Sequence, residues 1–350
     1  MKYRKMGSGD IMLSEIGFGC GGNAGLMVRG DGDEQTRVVA RALELGVNYF
    51  DNSPDYGDCV AEANLGRVLR SLRVRPFLNS KVEIRLENLA DIAGHVVRST
   101  EASLKRLGVD YLDVLQIHNG PVHPAPMMTG KYYQQIGIDH YLKPGGAVEG
   151  LQRLLESGKI RHAGFICRGN DIQYVRRLIE TGLFDIINIP YTLLNPTAGK
   201  AKPGGLNVER NFGEALNLAH SHGVGAAIYS PLAGGVLTDA AVDGAALHPL
   251  ARRNDKTESF QQDILAATHL KRIAERAGLS LTQLAYRFIL AHPAVTVAIG
   301  GFSSLQQLEE MAGICDVDPL SSNVLQEIAL LWDSNFGIPV RQKSESTVRT

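Results

Sequence analysis

The chain has 350 residues, 44% of them hydrophobic, enough for a sizeable core in one large domain or two. Acidic and basic residues number 37 and 36, so charge gives no argument for nucleic acid or an anionic membrane surface, and the expected ligand is a small molecule. No apolar run is long enough to span a bilayer and the amino terminus M-K-Y-R-K-M-G lacks the apolar core of a signal peptide; Cys20, Cys59, Cys167 and Cys315 form no C-x-x-C pair and suit free thiols in a reducing cytoplasm.

In chain order, Tyr3 to Ile16 reads as two short extended pieces around S-G-D, a hairpin expected to cap the bottom of a barrel. Gly17, Gly19 and Gly22 satisfy G-x-G-x-x-G. A dinucleotide-binding turn, however, needs its helix to open directly from the glycines, and the next helical pattern starts only near Asp33. These glycines, with Cys20, instead let backbone approach a cofactor at the first strand's end. Strands near Gly17, Asn48, Phe77, Leu112, Ala163, Asp185, Gly225 and Thr296 then alternate with helices near Asp33, Ala61, Asn88, Gly146, Asp171, Val208, Gln262 and Ser304. Leu281 to Ala291 reads as an extra helix. Eight strands in that alternation predict an α/β fold, a (β/α)8 TIM barrel, with the strands parallel and their crossovers right-handed.

Such a barrel needs ~250 residues, so the surplus lies in insertions: Asn119 to Pro144, directly after His118 and over the active face; Asn195 to Leu206; and Thr238 to Ser259. Ser322 to Trp332 carries helical apolar spacing and is expected to pack across the barrel's outside. No repeat or linker marks a boundary, so residues 1–350 are expected to form a single domain.

The chemistry-bearing stretch is G-V-N-Y-F-D-N-S-P-D-Y-G, Gly46 to Gly57. A short apolar strand delivers Asp51 at its end and turns through Pro54 to present Tyr56. F-L-N-S-K ends at Lys81 and L-D-V-L-Q-I-H at His118. The carboxyl ends of parallel strands are where barrels place their chemistry. A carboxylate, a phenol, an ammonium and an imidazole are thus all offered to one face. Each has a plainer reading: Asp51 as a turn residue, Tyr56 as a loop aromatic, Lys81 as a surface lysine, His118 as a hydrogen-bonded core histidine.

In order and approximate spacing, Asp51, Tyr56, Lys81 and His118 resemble the catalytic tetrad of the aldo-keto reductases, and G-V-N-Y-F-D-x-x-x-x-Y-G resembles that family's signature. The resemblance extends to A-I-Y-S-P-L-A-G-G-V-L and V-A-I-G-G-F-S-S-L-Q-Q-L-E-E, and so runs nearly the whole length. It implies an NAD(P)-dependent oxidoreductase that interconverts a carbonyl (aldehyde, ketone or sugar) and an alcohol. Tyr56 would be the acid/base, Lys81 its charged partner, Asp51 the carboxylate holding Lys81, and His118 a substrate-orienting donor. An ammonium ~4 Å from the phenol would favour the phenolate by roughly 4 kcal/mol at an effective dielectric of about 20.

For the cofactor, the resemblance implies that Tyr229 stacks on the nicotinamide, that Ser230 and Leu232 contact the pyrophosphate, and that Asn188 takes the place of a carboxamide-binding glutamine. Gly301, Ser304, Gln307 and Glu310 align with adenosine-binding positions. This chain departs from the family in carrying Ile166 and Cys167 in place of a Ser-Asn pair. Members preferring NADP carry a lysine and an arginine where Gly301 and Gln307 stand, and Met311 replaces an adenine-contacting asparagine. NAD is therefore expected to compete with NADP.

Lys131, Tyr132, Tyr133, His140 and Tyr141 are candidate pocket walls or loop packing. No tyrosine is followed four residues later by lysine, against a short-chain dehydrogenase. His118 and His123, across Pro121, lack the spacing and third ligand of a zinc site, and D-G-D-E at Asp31 is too short for a calcium loop. The competing class of function is a cofactor-sensing regulatory or binding subunit with slow or no turnover, since some relatives of this family are partners of other proteins.

Overall fold

Eight short parallel strands close on themselves: β1 (Ile16–Gly19), β2 (Tyr49–Asp51), β3 (Phe77–Val82), β4 (Leu112–Ile117), β5 (Ile160–Ile166), β6 (Phe184–Pro190), β7 (Gly225–Tyr229) and β8 (Val295–Gly301). Each pairs with its neighbours in sequence, and β8 closes on β1 with Gly301 beside Gly19. The computed structural model describes residues 1–122, 135–168, 171–244 and 258–339. All eight strands lie where the sequence pattern predicts them, because strands buried on both faces are largely apolar.

Alternation along the strands splits the core in two. Tyr49, Val114, Ile186, Ala227, Val297 and Ile299 point inward and meet Met6 and Leu13 from the amino-terminal hairpin, Tyr3–Lys5 paired with Met12–Ser14. The hairpin therefore plugs the amino end of the barrel, as expected. Outward residues such as Phe50, Leu115, Phe165 and Ile187 join the larger core beneath the helices. Gly164 faces inward at a point with no room for a side chain: a Cβ there would sit 2.5 Å from the Ile186 carbonyl oxygen and 2.9 Å from Gln116 Cγ.

The helices follow the sequence signals where capping is clear. Asp31 accepts hydrogen bonds from the Asp33 and Glu34 amides to open Gly32–Glu44, and Ser280 closes a capping box with Gln283 to open Leu281–Leu290. Two helices start later than expected. Near Asn88 there is only a single tight turn, Leu86–Asn88, and the helix opens at Ile92 on the Asp91 cap. No helix forms at Val208. The segment is held instead by Asn195, which donates to the Arg210 carbonyl, and by Thr197 Oγ1, which accepts from the Phe212 amide, so the helix waits until Ala215–Ser221. Gly213 and Glu214 before it are both left-handed, at φ 57° and 59°.

The insertion after His118 contributes a small ladder, Pro121–Val122 with Ile136–Gly137, and the short helix Ile138–Leu142. The carboxyl-terminal helix Ser322–Asp333 lies on the outside as predicted. Its Trp332 packs edge-on to Phe288 and donates its ring N–H to the Leu193 carbonyl at 2.7 Å. Among the described residues no helix is long and apolar enough to cross a membrane.

Candidate active site

Period-2 geometry puts the polar ends of β2, β3 and β4 on the inside of the barrel's carboxyl rim. Above the apolar interior lies a polar layer. Asp51 Oδ1 accepts from Asn79 Nδ2 at 2.6 Å and from Asn188 Nδ2 at 3.3 Å, while Gln116 Nε2 donates across the barrel to Asn188 Oδ1 at 2.7 Å. Lys81 and His118, two residues beyond Asn79 and Gln116, stand at the rim above.

The four expected residues do come together. Lys81 Nζ donates to both Asp51 oxygens at 2.8 Å, to the Asn52 carbonyl at 2.7 Å and to Tyr56 Oη at 3.2 Å. Tyr56 in turn donates to Asp51 Oδ2 at 3.3 Å, and its ring stands edge-on to His118 with centroids 6.2 Å apart. Burial pulls the Lys81 ammonium below its ordinary pKa, and the adjoining Asp51 carboxylate opposes that fall. Lys81 is thus a buried, paired cation rather than a surface lysine, with its side chain 2% exposed.

His118 is equally buried. Its Nδ1 lies 3.0 Å from Asp55 Oδ2 and 3.4 Å from Ser53 Oγ, and its carbonyl accepts from Arg168 Nε at 3.2 Å. Burial, then the Lys81 and Arg168 cations, push the imidazole well below its ordinary pKa, toward the neutral form. Beneath it Arg85 bridges Asp55 and Glu83 at 3.1 and 2.8 Å. The Glu83 carboxyl is raised, first by burial and then by the Asp55 charge.

The cofactor candidates occupy the remaining arc, β6 through β1, contiguous with Asp51. Tyr229 ends β7 and donates to the Cys167 carbonyl at 3.2 Å. Beyond it Ser230, Ala233, Gly234 and Gly235 all take left-handed backbone around Leu232, the kind of curl that turns successive amides toward an anion. Gly301 is exposed at the end of β8, where a Cβ would come 3.1 Å from the Ala24 Cβ, and Ser304 caps the helix Leu305–Gly313 that follows. Cys20 is buried with its amide on the Asp51 carbonyl, and Gly21 lies against Tyr56, its missing Cβ 3.8 Å from Cζ. An aromatic, an anion-turning loop and a small-residue rim in one arc fit a nicotinamide dinucleotide.

Three candidates are placed less simply. The Asn188 amide is committed at both ends, to Gln116 and Asp51, and the buried amide oxygens of this layer left without a partner are Gln116 Oε1 and Asn79 Oδ1. Gln307 Oε1 accepts from the Ser303 amide and hydroxyl at 2.9 and 2.8 Å, while Glu310 is exposed farther along the helix. Met311 is buried in the core. In the loop after His118, Tyr141 is packing rather than a pocket wall: it is fully buried and its hydroxyl donates to the Asn119 carbonyl. His140 is half-buried, and Lys131, Tyr132, Tyr133 and His123 lie outside the described residues.

Asn79, Gln116, Asp55 and Arg168 were not singled out from the sequence. The period-2 step back from Lys81 and His118 would have found the first two, and the strand-end position the last. A cavity of about 490 Å³ at the opposite end, lined by Arg4, His220 and Thr296 among others, is a weaker candidate: its Arg4 is spent on Glu15 and the Leu290 and Val295 carbonyls. Among the described residues no cluster of His, Cys, Asp or Glu could hold a metal.

The sequence model of the Aldo/keto reductase family matches residues 15–333, which takes in all eight strands and the whole polar rim. The chain belongs to the aldo/keto reductase family. Proteins of this family use NADP or NAD. Its relatives include an L-galactose dehydrogenase of Arabidopsis thaliana, 27% identical with 91% of this chain and 90% of that protein covered. A probable voltage-gated potassium channel subunit beta of the same plant is also 27% identical, with 93% and 94% covered. A solved aldo-keto reductase from Bacillus halodurans, in its holo form, has the same fold at a TM-score of 0.70 and 24% identity, covering 95% of this chain and 96% of that one.

Proposed function

We propose that this chain is a cytoplasmic, single-domain NAD(P)-dependent oxidoreductase that interconverts a small carbonyl compound and its alcohol, with Tyr56 as the acid/base. The observation carrying this reading is that Tyr56 Oη sits within hydrogen-bond reach of both Lys81 Nζ and Asp51 Oδ2 at the barrel mouth. A bound nicotinamide supplies or accepts the hydride. In reduction the Tyr56 hydroxyl gives its proton to the carbonyl oxygen, and Lys81 stabilises the negative charge left on the phenol oxygen. In oxidation the same oxygen takes the proton back. Asp51 keeps Lys81 charged although buried, Asn79 and Asn188 hold Asp51, and His118 orients the substrate.

The test is a panel of aldehydes, ketones and sugars with both nucleotides in both directions, followed by the absorbance of the reduced nicotinamide. Tyr56→Phe should lose turnover at least 1,000-fold, of the order an essential proton donor contributes, while the cofactor dissociation constant stays within twofold. Full turnover by that variant would refute the assignment. The channel-subunit relatives favour a second reading, a cofactor-sensing subunit with slow turnover. A single-turnover hydride-transfer rate slower than minutes on every panel member would select it.

A further inference from the structure

Just inside the barrel mouth, three side-chain amides are strung around one carboxylate. Asp51 Oδ1 accepts from Lys81 Nζ at 2.8 Å, from Asn79 Nδ2 at 2.6 Å and from Asn188 Nδ2 at 3.3 Å, whereas Oδ2 takes Lys81 and the Tyr56 hydroxyl. A carboxylate paired with an ammonium only accepts, so each amide that meets it must turn its nitrogen that way. For Asn188 this sends Oδ1 in the other direction, and there Gln116 Nε2 donates to it at 2.7 Å. Gln116 lies on β4 and Asn188 on β6, with β5 between them. The bridge passes over Gly164, the β5 residue in register with Gln116, where a Cβ would stand 2.9 Å from Gln116 Cγ. The Asp51 charge thus sets the direction of both amides. That direction is kept although Gln116 Oε1 and Asn79 Oδ1 end buried without a partner among the described residues.

We propose that Asn188 and Gln116 are positioning residues of the acid/base site and not ligands of the nicotinamide. Gln116 turns the Asn188 amide toward Asp51 Oδ1. The donors gathered on Oδ1 draw negative charge away from Oδ2, the oxygen that competes with the substrate for the Tyr56 proton. An asparagine spent at both ends does not also hold the nicotinamide carboxamide, the role that the resemblance gives it. The neighbouring positions do not replace it. Ile166 has no polar side-chain atom, and Cys167 is buried in the core with its carbonyl taken by the Tyr229 hydroxyl at 3.2 Å. The carboxamide therefore gains no side-chain partner from positions 166, 167 and 188, and a nucleotide carrying an acetyl group in its place should bind as well. This inference rests on the oxidoreductase reading for the role of Tyr56 and the class of cofactor.

The test has two arms, and neither needs turnover. By calorimetry on the full wild-type chain, NAD and its acetylpyridine analogue should give dissociation constants within about threefold of each other, and Asn188→Leu should leave that ratio unchanged. A wild-type preference for NAD above about tenfold, the scale of one hydrogen bond at a buried site, overturns the proposal, and that measurement stands whether or not a variant folds. In the second arm the chain is labelled with 13Cζ-tyrosine and the Tyr56 signal is assigned through Tyr56→Phe. Asn188→Leu and Gln116→Met, each close in volume to the residue replaced, should raise the Tyr56 titration midpoint by at least about 0.5 pH unit, the effect of a weakened hydrogen bond to Asp51. Asn79→Leu, which removes the shorter bond to the same oxygen, should raise it further. The other titratable groups around Tyr56 and Asp51 are Lys81, His118 and Cys20, with Asp55, Arg85 and Arg168 beyond the histidine, and they are the same in all three variants. An unmoved midpoint in Asn188→Leu or Gln116→Met overturns the proposal. If both nucleotides bind alike and the midpoints shift as described but no carbonyl compound is reduced, the oxidoreductase reading fails and the assignment of Asn188 and Gln116 to Asp51 survives.

Discussion

Replacing Lys81 by methionine separates the two charges on which Tyr56 depends. Lys81 Nζ is 3.2 Å and Asp51 Oδ2 3.3 Å from the phenol oxygen. At an effective dielectric of about 20, each acts on a phenolate there by about 5 kcal/mol, with opposite signs. The isolated-ammonium estimate from the sequence therefore overstates the field, because the carboxylate almost cancels it. The hydrogen bond accepted from Lys81 favours the phenolate, and the one that only the neutral phenol can donate to Asp51 opposes it. In Lys81→Met the carboxylate acts alone. Allowing about 3 kcal/mol for a half-buried phenol, the phenolate population falls by about 100-fold. We expect kcat for alcohol oxidation at neutral pH to fall at least that far. Folding stability should fall by about 3–5 kcal/mol, because Asp51 is left buried without its cation. The assay is the kcat–pH profile by nicotinamide absorbance, paired with urea unfolding, and Lys81→Arg should restore part of the loss. A Lys81→Met enzyme within fivefold of wild type at neutral pH would show that the ammonium does not serve the phenol.

Three further outcomes follow from the same coordinates. Gly164→Ala forces a Cβ to 2.5 Å from the Ile186 carbonyl and against Gln116, so it should cost about 1–3 kcal/mol in urea unfolding and weaken turnover through the Gln116–Asn188 layer; a neutral effect on stability would contradict the packing. Burial lowers the pKa of His118, and likewise of His140 and His292, below the ordinary 6.5. The unfolded chain then takes up protons that the folded chain refuses, so stability is full above about pH 6.5 and falls as pH drops below it. His118→Asn should flatten that fall in urea midpoints measured from pH 7.5 to 5, and an unchanged slope would refute the assignment. With Gly301 and Gln307 offering no cation to a 2′-phosphate, NAD and NADP should bind within about tenfold of each other by fluorescence quenching; NADP binding a hundredfold tighter would contradict it.

The strand count, the hairpin plug, the outer helix and the identity of the four rim residues follow from local pattern. Apolar runs of strand length, turn residues and caps each act within a few positions, and the polar residue that ends an apolar strand is visible in one dimension. The helix expected at Val208 fails for a nonlocal reason, since the competing hydrogen bonds come from Asn195 and Thr197 in another loop.

Likewise, the family signature points to Tyr56 but carries nothing about Asp55 beside it, whose meaning depends on His118, 63 positions away. Asn79 and Gln116 look like interruptions of buried strands until the barrel closes and lets them share Asp51 and Asn188. What the sequence alone determines here is which side chains reach the rim, because that depends on strand phase. Which charges oppose each other, which amide is already spent and which carboxylate meets the imidazole were decided only when closure of the barrel brought distant strands within about three ångströms, where electrostatics and hydrogen bonding are strongest.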